Sequence, residues 1–469
     1  MDYISTRGKD GPLGFEAALL SGLARDGGLY LPVTWPRFST DEIRAMKGLS
    51  YAALAGRIMA PLCDGEISES ELAAMAADAY AGFDDPAVAP LVALTDKLHV
   101  LELFHGPTIA FKDYAMQFLA RAFDRALAKQ NRHAVILGAT SGDTGSAALQ
   151  AFQGRAAVDV FILFPEGRVS PVQQRQMTSV IADGVHAVSV AGDFDDCQAL
   201  VKSLFNDHAF RDAVNLSAVN SINWARLMPQ IVYYFSSALT LGAPDQKVAF
   251  AVPTGNFGNV FAGYVAMQMG LPVERLIVAS NRNDILTRFF DRGQMQREPV
   301  VPSLSPSMDI QVSSNFERLL FELLGRDGAK TIAIMDQFSS TGQFDVHDDV
   351  MARAAALFSA YRLDDAGTIA EIAATAQQTG MVIDPHSAVG LSAARRAQAD
   401  GTVSADVPII SLACAHPAKF DQAVKTATGV TPALPPHMAD LMSRPERQQR
   451  VAANPDAVKG LILSLSRGQ

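Results

Sequence analysis

Hydrophobic and polar positions follow two different patterns along this chain. In the first 95 residues the apolar positions have the spacing of amphipathic helices, and two serine–glutamate pairs, Ser39 with Glu42 and Ser68 with Glu71, have the spacing of capping boxes. After residue 98, short apolar segments bounded by glycine or proline alternate with helical stretches, which is typical of buried parallel strands. The predicted strands are AVILG (134–138), VDVFILF (158–164), HAVSV (186–190), KVAFAVP (247–253), RLIVAS (275–280) and PIISLAC (408–414).

This alternation predicts the domain organisation. Strands separated by helices indicate right-handed βαβ units and an α/β sheet. A helix-rich stretch at about 285–375, which includes FERLLFELL and HDDVMARAAALFSAYR, is predicted to be an insertion within the second part of the α/β core. We expect a mostly helical N-terminal domain over 1–95, an α/β domain over 96–245, a second α/β domain over 246–435 that contains the insertion, and a C-terminal tail over 436–469.

One lysine, Lys112, stands at the start of a strongly amphipathic helix within FHGPTIAFKDYAMQFLARAF (104–123). Asp113 is predicted to be the N-cap of that helix, which places Lys112 just before the first turn and close to a buried surface. Lysine is rarely placed there for packing, so one interpretation is a chemical role. The other is a lysine whose stem covers apolar surface while its amine reaches water.

Composition and charge narrow the class of protein. The 469 residues are enough for two or three domains, and 49% hydrophobic residues are enough for a sizeable core. A net charge of −10 without a lysine–arginine block argues against nucleic acid or an anionic membrane as the main partner. Three separated cysteines, a polar N-terminus and no apolar run near the roughly 20 residues of a membrane helix predict a cytoplasmic protein.

Three loops that follow predicted strands carry the candidate chemistry, because ligands of open α/β sheets bind beyond the carboxyl ends of the strands. The first loop is GATSGDTGSAA (138–148), which has neither the lysine of a Walker A loop nor the glycine-flanked serine of a hydrolase. Its N–H groups and hydroxyls precede a helix and suit a carboxylate ligand, with Asp143 as an added polar contact. The alternative is a polar turn with ordinary capping residues.

The second loop, PTGNFGN (253–259), precedes a helix that is apolar on every side. Gly255 and Gly258 are predicted to adopt backbone conformations closed to other residues, so that successive N–H groups form a nest for a phosphate. The dipole of the following helix would strengthen that site. A glycine-rich turn between a strand and a helix is common by itself, so this motif alone is only moderately specific.

The third loop, LACAHPAKF (412–420), begins where a predicted strand ends at Cys414. A single cysteine at such a place is usually a small buried hydrophobic residue, and His416 and Lys419 are compatible with plain loop positions. No two of the nine histidines lie within four positions of each other, so the sequence signals no local pair of metal ligands. We therefore expect no metal site.

One hypothesis unites the three loops and the lysine. Lys112 near a buried surface, a phosphate nest without a Walker lysine, and a carboxylate-binding loop suit pyridoxal 5′-phosphate acting on an amino acid. Lysine forms a Schiff base with the aldehyde of this cofactor, and desolvation makes its neutral form accessible. The cofactor phosphate would bind at Gly255–Asn259 and the substrate carboxylate at Thr140–Thr144.

Six motifs in order resemble the bacterial and fungal type of the threonine synthase family. They are FHGPTIAFKD, GATSGDTGSAA, NSINWARLMPQ (220–230), PTGNFGN, DPHSAVG (384–390) and AHPAKF. STRG (5–8) and GLARDGGLYLP (22–32) are also similar to the opening of that family. The resemblance extends from about residue 3 to about residue 430, and six motifs in register are highly specific.

The resemblance implies a fold, an activity and a set of site residues. It implies the fold-type II (tryptophan synthase β-like) fold, with two open-sheet α/β domains, a helical N-terminal region and a helical insertion. The implied reaction converts O-phospho-L-homoserine and water to L-threonine and phosphate. The implied cofactor-binding residues are the Schiff-base lysine Lys112, Asp143 near the ring hydroxyl, Gly255, Asn256, Phe257, Gly258 and Asn259 around the phosphate, and Cys414 opposite the pyridine nitrogen, where the family more often has threonine. The expected substrate residues are Thr140, Ser141, Gly142 and Thr144 for the carboxylate and Asn223, Arg226 and Lys419 for the phosphate.

Several alternatives remain at this stage. Another fold-type II enzyme, such as a threonine or serine dehydratase, would not need a second phosphate site, and an O-phosphohomoserine phospho-lyase would stop at 2-oxobutyrate. A catalytically silent, cofactor-bound homologue is the non-enzymatic alternative, which the presence of Lys112 disfavours. The partner expected is the small-molecule substrate, with no nucleic acid and no membrane, and the chain is expected to be a monomer or a homodimer.

Overall fold

The computed structural model describes residues 1–140 and 142–468 and contains two mainly parallel β-sheets with helices packed around them. The strands are β1 (Tyr3–Ser5), β2 (Tyr30–Pro32), β3 (Leu91–Thr95), β4 (Leu98–Glu102), β5 (Ala134–Ala139), β6 (Val158–Pro165), β7 (Val185–Ala191), β8 (Leu216–Ser217), β9 (Val248–Pro253), β10 (Val273–Ser280), β11 (Gln294–Gln296), β12 (Gln343–Asp345), β13 (Phe358–Arg362), β14 (Ile409–Ala413) and β15 (Gln449–Ala452). The helices are α1 (Phe15–Ser21), α2 (Thr40–Ala45), α3 (Tyr51–Cys63), α4 (Glu69–Tyr80), α5 (Lys112–Lys129), α6 (Asp143–Phe152), α7 (Pro171–Thr178), α8 (Phe194–Asn206), α9 (His208–Ala213), α10 (Trp224–Thr240), α11 (Gly258–Gln268), α12 (Ile285–Arg292), α13 (Phe316–Leu323), α14 (Gly328–Thr341), α15 (Asp348–Ala355), α16 (Asp365–Thr379), α17 (Pro385–Ala399), α18 (Asp421–Thr428) and α19 (Pro455–Leu465).

The larger sheet has the strand order β13-β10-β9-β14-β4-β3. Its pairs are parallel except at one edge, where β3 runs antiparallel to β4. The strands β9 and β14 are fully buried, as their continuous apolar sequences predict for strands covered on both faces. The loops after β4, β9 and β14 therefore emerge together at one end of this sheet.

The smaller sheet has the order β15-β7-β6-β5-β8, with every pair parallel. Its central strand β6 is buried along its whole length. The loop after β5 leads into α6 and carries the first of the three candidate loops. The six strands predicted from the sequence are confirmed as β5, β6, β7, β9, β10 and β14, and the predicted α/β architecture is confirmed with them.

The N-terminal region is helical as predicted, and its helix starts show why. Ser39 caps α2 with a reciprocal capping box to Glu42, and the Ser68 hydroxyl accepts a hydrogen bond from the Glu71 amide at the start of α4. The apolar faces of α3 and α4 join the same core as α5 and α10. These helices thus fix the helix that carries Lys112.

One predicted helix is wrong in its second half. The stretch HDDVMARAAALFSAYR forms α15 only as far as Ala355, and Phe358–Arg362 is the edge strand β13, parallel to β10. The pairing with β10 supplies backbone hydrogen bonds that the local pattern does not encode, so tertiary contact overrides helical spacing here. Within residues 1–140 and 142–468, no helix is both long enough and apolar enough to cross a membrane.

Candidate active site

Lys112 lies at the first position of α5, and the sequence prediction of its N-cap is wrong. The helix begins at Lys112, so Asp113 lies inside the first turn and does not cap it. The Asp113 carboxylate instead accepts hydrogen bonds from the Thr108 amide at 2.8 Å and the Thr108 hydroxyl at 2.7 Å. Burial raises the pKa of Asp113 to about 6 despite these bonds.

The segment before Lys112 is held against the third loop. The Phe111 amide donates to the Cys414 carbonyl at 2.8 Å, and the His416 amide donates to the Ile109 carbonyl at 3.0 Å. Ile109 has a φ of 53°, which is unfavourable for a β-branched residue and is imposed by these surroundings. The start of α5 is therefore fixed to the carboxyl end of β14.

Asp143 lies between two lysines. Its Oδ2 is 3.2 Å from the Lys112 amine, and its Oδ1 is 2.8 Å from the Lys419 amine. The Gln173 amide also donates to Oδ1 at 2.8 Å. Lys419 has a fully buried side chain and donates a second hydrogen bond to the Thr108 carbonyl at 2.9 Å. This bond connects the cluster around Asp143 to the segment that precedes Lys112.

The surroundings lower the pKa of both Lys112 and Asp143, for different physical reasons. Burial lowers the pKa of Lys112, Asp143 opposes that effect, and the positive charges of Lys419 and Arg226 lower the pKa further. Burial alone would raise the pKa of Asp143, but the two ammonium groups and the bonds from Lys419 and Gln173 hold it well below its usual value. A neutral Lys112 amine is thus more accessible than that of an exposed lysine.

The first loop contains Asp143 itself and leads into α6. Gly142 has a φ of 151°, and a side chain there would collide with Gln173. The buried Thr140 hydroxyl accepts hydrogen bonds from the Gly142 and Gly145 amides at 3.0 and 2.9 Å, so it stabilises the turn before α6. Thr144 is partly buried in the first turn of α6, and the predicted substrate residue Ser141 lies outside the described residues. The carboxylate-binding role of this loop stays a prediction.

The second loop presents free backbone N–H groups at the start of the buried helix α11. Across the described residues, no protein acceptor takes a hydrogen bond from the amides of Gly255, Asn256, Phe257, Gly258 or Asn259. The carbonyls are occupied instead, since the Ser313 hydroxyl donates to the Gly255 carbonyl and Asn315 donates to the Asn256 carbonyl. This arrangement of free donors fits the phosphate of pyridoxal phosphate.

The reason for the glycines in this loop differs from the prediction. Neither Gly255 nor Gly258 has a positive φ, and the left-handed residue is Phe257, at φ 64°. Gly255 is required by close approach, because a Cβ there would lie 2.9 Å from the Ser307 carbonyl oxygen and 3.3 Å from the Met308 Cα. Phe257 tolerates its conformation because its ring is fully buried, 5.3 Å from the Phe316 ring.

Cys414 lies immediately after β14 and is buried. Burial raises the pKa of its thiol, so the neutral form dominates. The Cys414 amide donates a hydrogen bond to the Ser387 hydroxyl at 3.1 Å. A neutral thiol at this place is able to make a weak hydrogen bond to a ring nitrogen, which is the role expected for Cys414.

The three residues predicted for a substrate phosphate have different surroundings. Asn223 caps α10 and donates to the Leu19 carbonyl at 2.9 Å, so both ends of its amide are engaged. Lys419 pairs with Asp143 as described. Arg226 is buried, donates to the Val219 carbonyl, and within the described residues has no partner for its Nε. Burial lowers its pKa to about 10, so Arg226 remains the best suited of the three to bind an added anion.

Sequence reasoning missed two residues of the cluster and left one motif without a role. Gln173 and Ser307 both contact Asp143, but Gln173 is on α7 and Ser307 is in the insertion, so neither belongs to any of the three loops in the sequence. No local pattern marks either of them. DPHSAVG was among the motifs of the resemblance, and its His386 accepts a hydrogen bond from the Ser307 amide at 3.2 Å.

Comparisons with known proteins identify the family of this chain. A family model described as "Threonine synthase N terminus" matches residues 2–80, one described as "Pyridoxal-phosphate dependent enzyme" matches residues 90–415, and one described as "Threonine synthase, C-terminal" matches residues 387–462. The chain is 51% identical to a threonine synthase from Pseudomonas aeruginosa over 448 residues, which cover 95% of each chain.

Solved structures show the same relationship. A crystal structure of threonine synthase from Brucella melitensis with bound pyridoxal phosphate superimposes with a TM-score of 0.97 at 52% identity and covers 100% of both chains. A yeast threonine synthase superimposes with a TM-score of 0.93 at 38% identity over 98% of both chains. With about half of its residues identical to those of full-length relatives and with matching threonine synthase and pyridoxal-phosphate enzyme domains, the chain belongs to the threonine synthase family.

Proposed function

We propose that this chain converts O-phospho-L-homoserine and water to L-threonine and phosphate with pyridoxal 5′-phosphate as its cofactor. The observation that carries the proposal is the shared surroundings of Lys112 and the free amides of Gly255–Asn259. Ser307 lies 3.4 Å from the Lys112 amine through its hydroxyl, and its carbonyl packs against Gly255. The segment around Ser307 therefore contacts both the amine that would attach the cofactor and the loop whose amides would bind its phosphate.

The residues assigned to the cofactor each have a physical reason. Lys112 would attach the cofactor, the five amides from Gly255 to Asn259 would bind its phosphate, and Cys414 would face its ring nitrogen. When bound, pyridoxal phosphate supplies an electron sink for charge that develops on the substrate carbons. Asp143 would lie near the ring hydroxyl, and its two ammonium partners keep it ionised.

Lys112 is the base that the proposed reaction needs. Its lowered pKa makes the neutral amine more accessible than that of an exposed lysine, and its long stem lets the amine reach two adjacent carbons. Asp143 holds the protonated amine between these transfers, since the ion pair is only 3.2 Å long. Burial of the cluster strengthens each of these interactions relative to water.

The substrate would be bound by two anion sites. The loop Thr140–Thr144, including Ser141, is assigned to the carboxylate, and Arg226 with Asn223 and Lys419 is assigned to the phosphate. The buried guanidinium of Arg226 supports this second site, because an uncompensated buried charge is stabilised by an incoming anion. A dehydratase acting on threonine or serine would have no need for such a group.

The experiment measures products from O-phosphohomoserine and from threonine with the purified, cofactor-loaded chain. We expect threonine and phosphate in equal amounts from the first and little 2-oxobutyrate from the second. Borohydride reduction followed by peptide mapping should label Lys112, and Lys112→Ala should abolish turnover. Lys129→Ala, at the exposed end of the same helix, is the matched control. Preferential deamination of threonine, or full activity of Lys112→Ala, would defeat the proposal.

The phosphate site has a separate test. Arg226→Met keeps the length and apolar stem of the side chain but removes the charge. We expect KM for O-phosphohomoserine to rise at least about tenfold, which corresponds to the loss of one charge-assisted hydrogen bond, while the absorbance of the bound cofactor stays the same. An unchanged KM would remove Arg226 from the substrate site.

A cytoplasmic location and a monomeric or homodimeric state complete the proposal. All three cysteines are free and buried, in keeping with a reducing compartment.

A further inference from the structure

The motif DPHSAVG, which neither the three loops nor the proposed reaction uses, begins with a buried carboxylate. Asp384 caps the N-terminus of α17 and accepts hydrogen bonds from the His386 and Ser387 amides, both at 3.0 Å. The same carboxylate also accepts from the His386 ring at 2.6 Å and from the Ser387 hydroxyl. Asp384 thus accepts four hydrogen bonds, and it fixes the side chains of His386 and Ser387.

The first of these side chains, His386, is connected to Lys112 through Ser307. His386 is buried, and its Nδ1 donates to Asp384, so its Nε2 is left with a lone pair. That nitrogen accepts a hydrogen bond from the Ser307 amide at 3.2 Å. The bond holds the short 3-10 helix Pro306–Met308, which lies within the insertion.

Ser307 then contacts the reacting group. Its hydroxyl is 3.4 Å from the Lys112 amine and 3.3 Å from Asp143 Oδ2, and the Lys112–Asp143 distance is 3.2 Å. The three groups form a closed triangle in which the hydroxyl is able to accept from Lys112 and donate to Asp143 at the same time. The carbonyl of the same residue packs against Gly255.

The second side chain reaches the opposite end of the cofactor site. The Ser387 hydroxyl donates to Asp384 and accepts from the Cys414 amide at 3.1 Å. One buried carboxylate therefore supports both Cys414 and, through His386 and Ser307, Lys112.

We propose that Ser307 is a further catalytic residue that orients the Lys112 amine, and that His386 and Asp384 are positioning residues that hold Ser307 in place. The inference rests on the proposed function only for its kinetic readout. The hydroxyl stabilises the protonated Lys112 nitrogen by accepting its N–H, and it limits the directions in which the amine moves. His386 acts only through the acceptor that it offers to the Ser307 amide.

The experiment compares three substitutions in the full, cofactor-loaded chain. Ser307→Ala removes the hydroxyl, His386→Leu removes the acceptor, and His386→Gln keeps one, because Gln Oε1 lies the same number of bonds from Cα as His Nε2. Ser303→Ala is the matched control, since its hydroxyl serves the same segment through Asp309 and does not contact Lys112.

Two readouts are used, kcat with KM and the pH titration of the visible absorbance of the bound cofactor. We expect Ser307→Ala to lower kcat about tenfold with KM changed less than about threefold, as for one lost hydrogen bond. The titration midpoint should fall by about half a pH unit or more, because the protonated nitrogen loses an acceptor. The charged groups that also act on Lys112, namely Asp143, Lys419 and Arg226, remain in every variant.

His386→Leu should reproduce both changes, and His386→Gln should restore at least half of the wild-type kcat. An unchanged midpoint in Ser307→Ala, or the same changes in Ser303→Ala, would overturn the proposal for Ser307. Equal impairment of the glutamine and leucine variants would overturn the role of His386, and if His386→Leu does not fold, Ser307→Ala and His386→Gln still decide. The absorbance titration does not depend on which product forms, so a wild-type chain that makes no threonine would defeat the proposed function without deciding the role of Ser307.

Discussion

Replacing Asp143 by asparagine tests whether one carboxylate holds the active-site cluster together. The substitution keeps the shape of the side chain and one acceptor oxygen but removes the negative charge. Lys112 and Lys419 would then be two buried ammonium groups without a counter-charge, at positions where Asp143 now lies 3.2 and 2.8 Å from them. The cost of burying these two charges would fall only if one amine lost a proton or moved into water.

The expected magnitude follows from that geometry. Removing one partner of a buried ion pair costs about 3–5 kcal/mol, because a charge is left uncompensated. The asparagine oxygen still accepts one of the hydrogen bonds now made by Lys419 and Gln173, so we expect the lower end, about 3 kcal/mol in the free energy of unfolding. The pKa of Lys112, which Asp143 now raises against burial, should fall further.

Denaturant unfolding of the cofactor-free chain, followed by circular dichroism at several pH values, measures this difference. Since the pKa of Asp143 is lowered in the folded chain, its contribution is fully present above the ordinary carboxyl pKa near 4 and is lost as the pH falls through the lower folded value. The gap between wild type and Asp143→Asn should therefore be constant at neutral pH and shrink in acid.

Asp245→Asn is the control, because Asp245 forms an exposed salt bridge with Arg44 at 2.7 Å and its loss should matter far less. A loss below about 1 kcal/mol for Asp143→Asn at pH 7 would refute the claim that the cluster depends on this charge. A gap that widens in acid would refute the assigned direction of the Asp143 pKa.

Three other predictions concern the neighbouring groups. Gly255→Ala should weaken cofactor binding at least about tenfold in an absorbance titration. The added Cβ would lie 2.9 Å from the Ser307 carbonyl oxygen, so a backbone atom must move. Unchanged affinity would show that the loop adjusts without cost and would contradict this prediction. Cys414→Thr should retain kcat/KM within about threefold, because a neutral hydroxyl replaces a neutral thiol of similar size, and a loss beyond about a hundredfold would contradict the neutral contact. Lys419→Met should move the acidic limb of the pH–rate profile to higher pH, since Lys419 now lowers the pKa of Lys112, and a move to lower pH would contradict the sign of that interaction.

The sequence determined the elements whose signals are local. Buried parallel strands such as β6 and β9 are continuous apolar runs, and local spacing marks their bounds. Six motifs in register, which include the three loops and Lys112, were sufficient to identify the family and the cofactor by resemblance. Fold-type II architecture followed from the same motifs.

Only the tertiary structure decided which side chains complete the site. Asp113 has the residue type of a cap, but in the fold its carboxylate binds Thr108. Ser307 is separated from Lys112 by 195 residues and comes from an insertion that has no functional pattern of its own. Spacing along a chain reports neighbours within one helix or strand, whereas contacts between distant segments depend on how the sheets pack, and that information is distributed over the whole core.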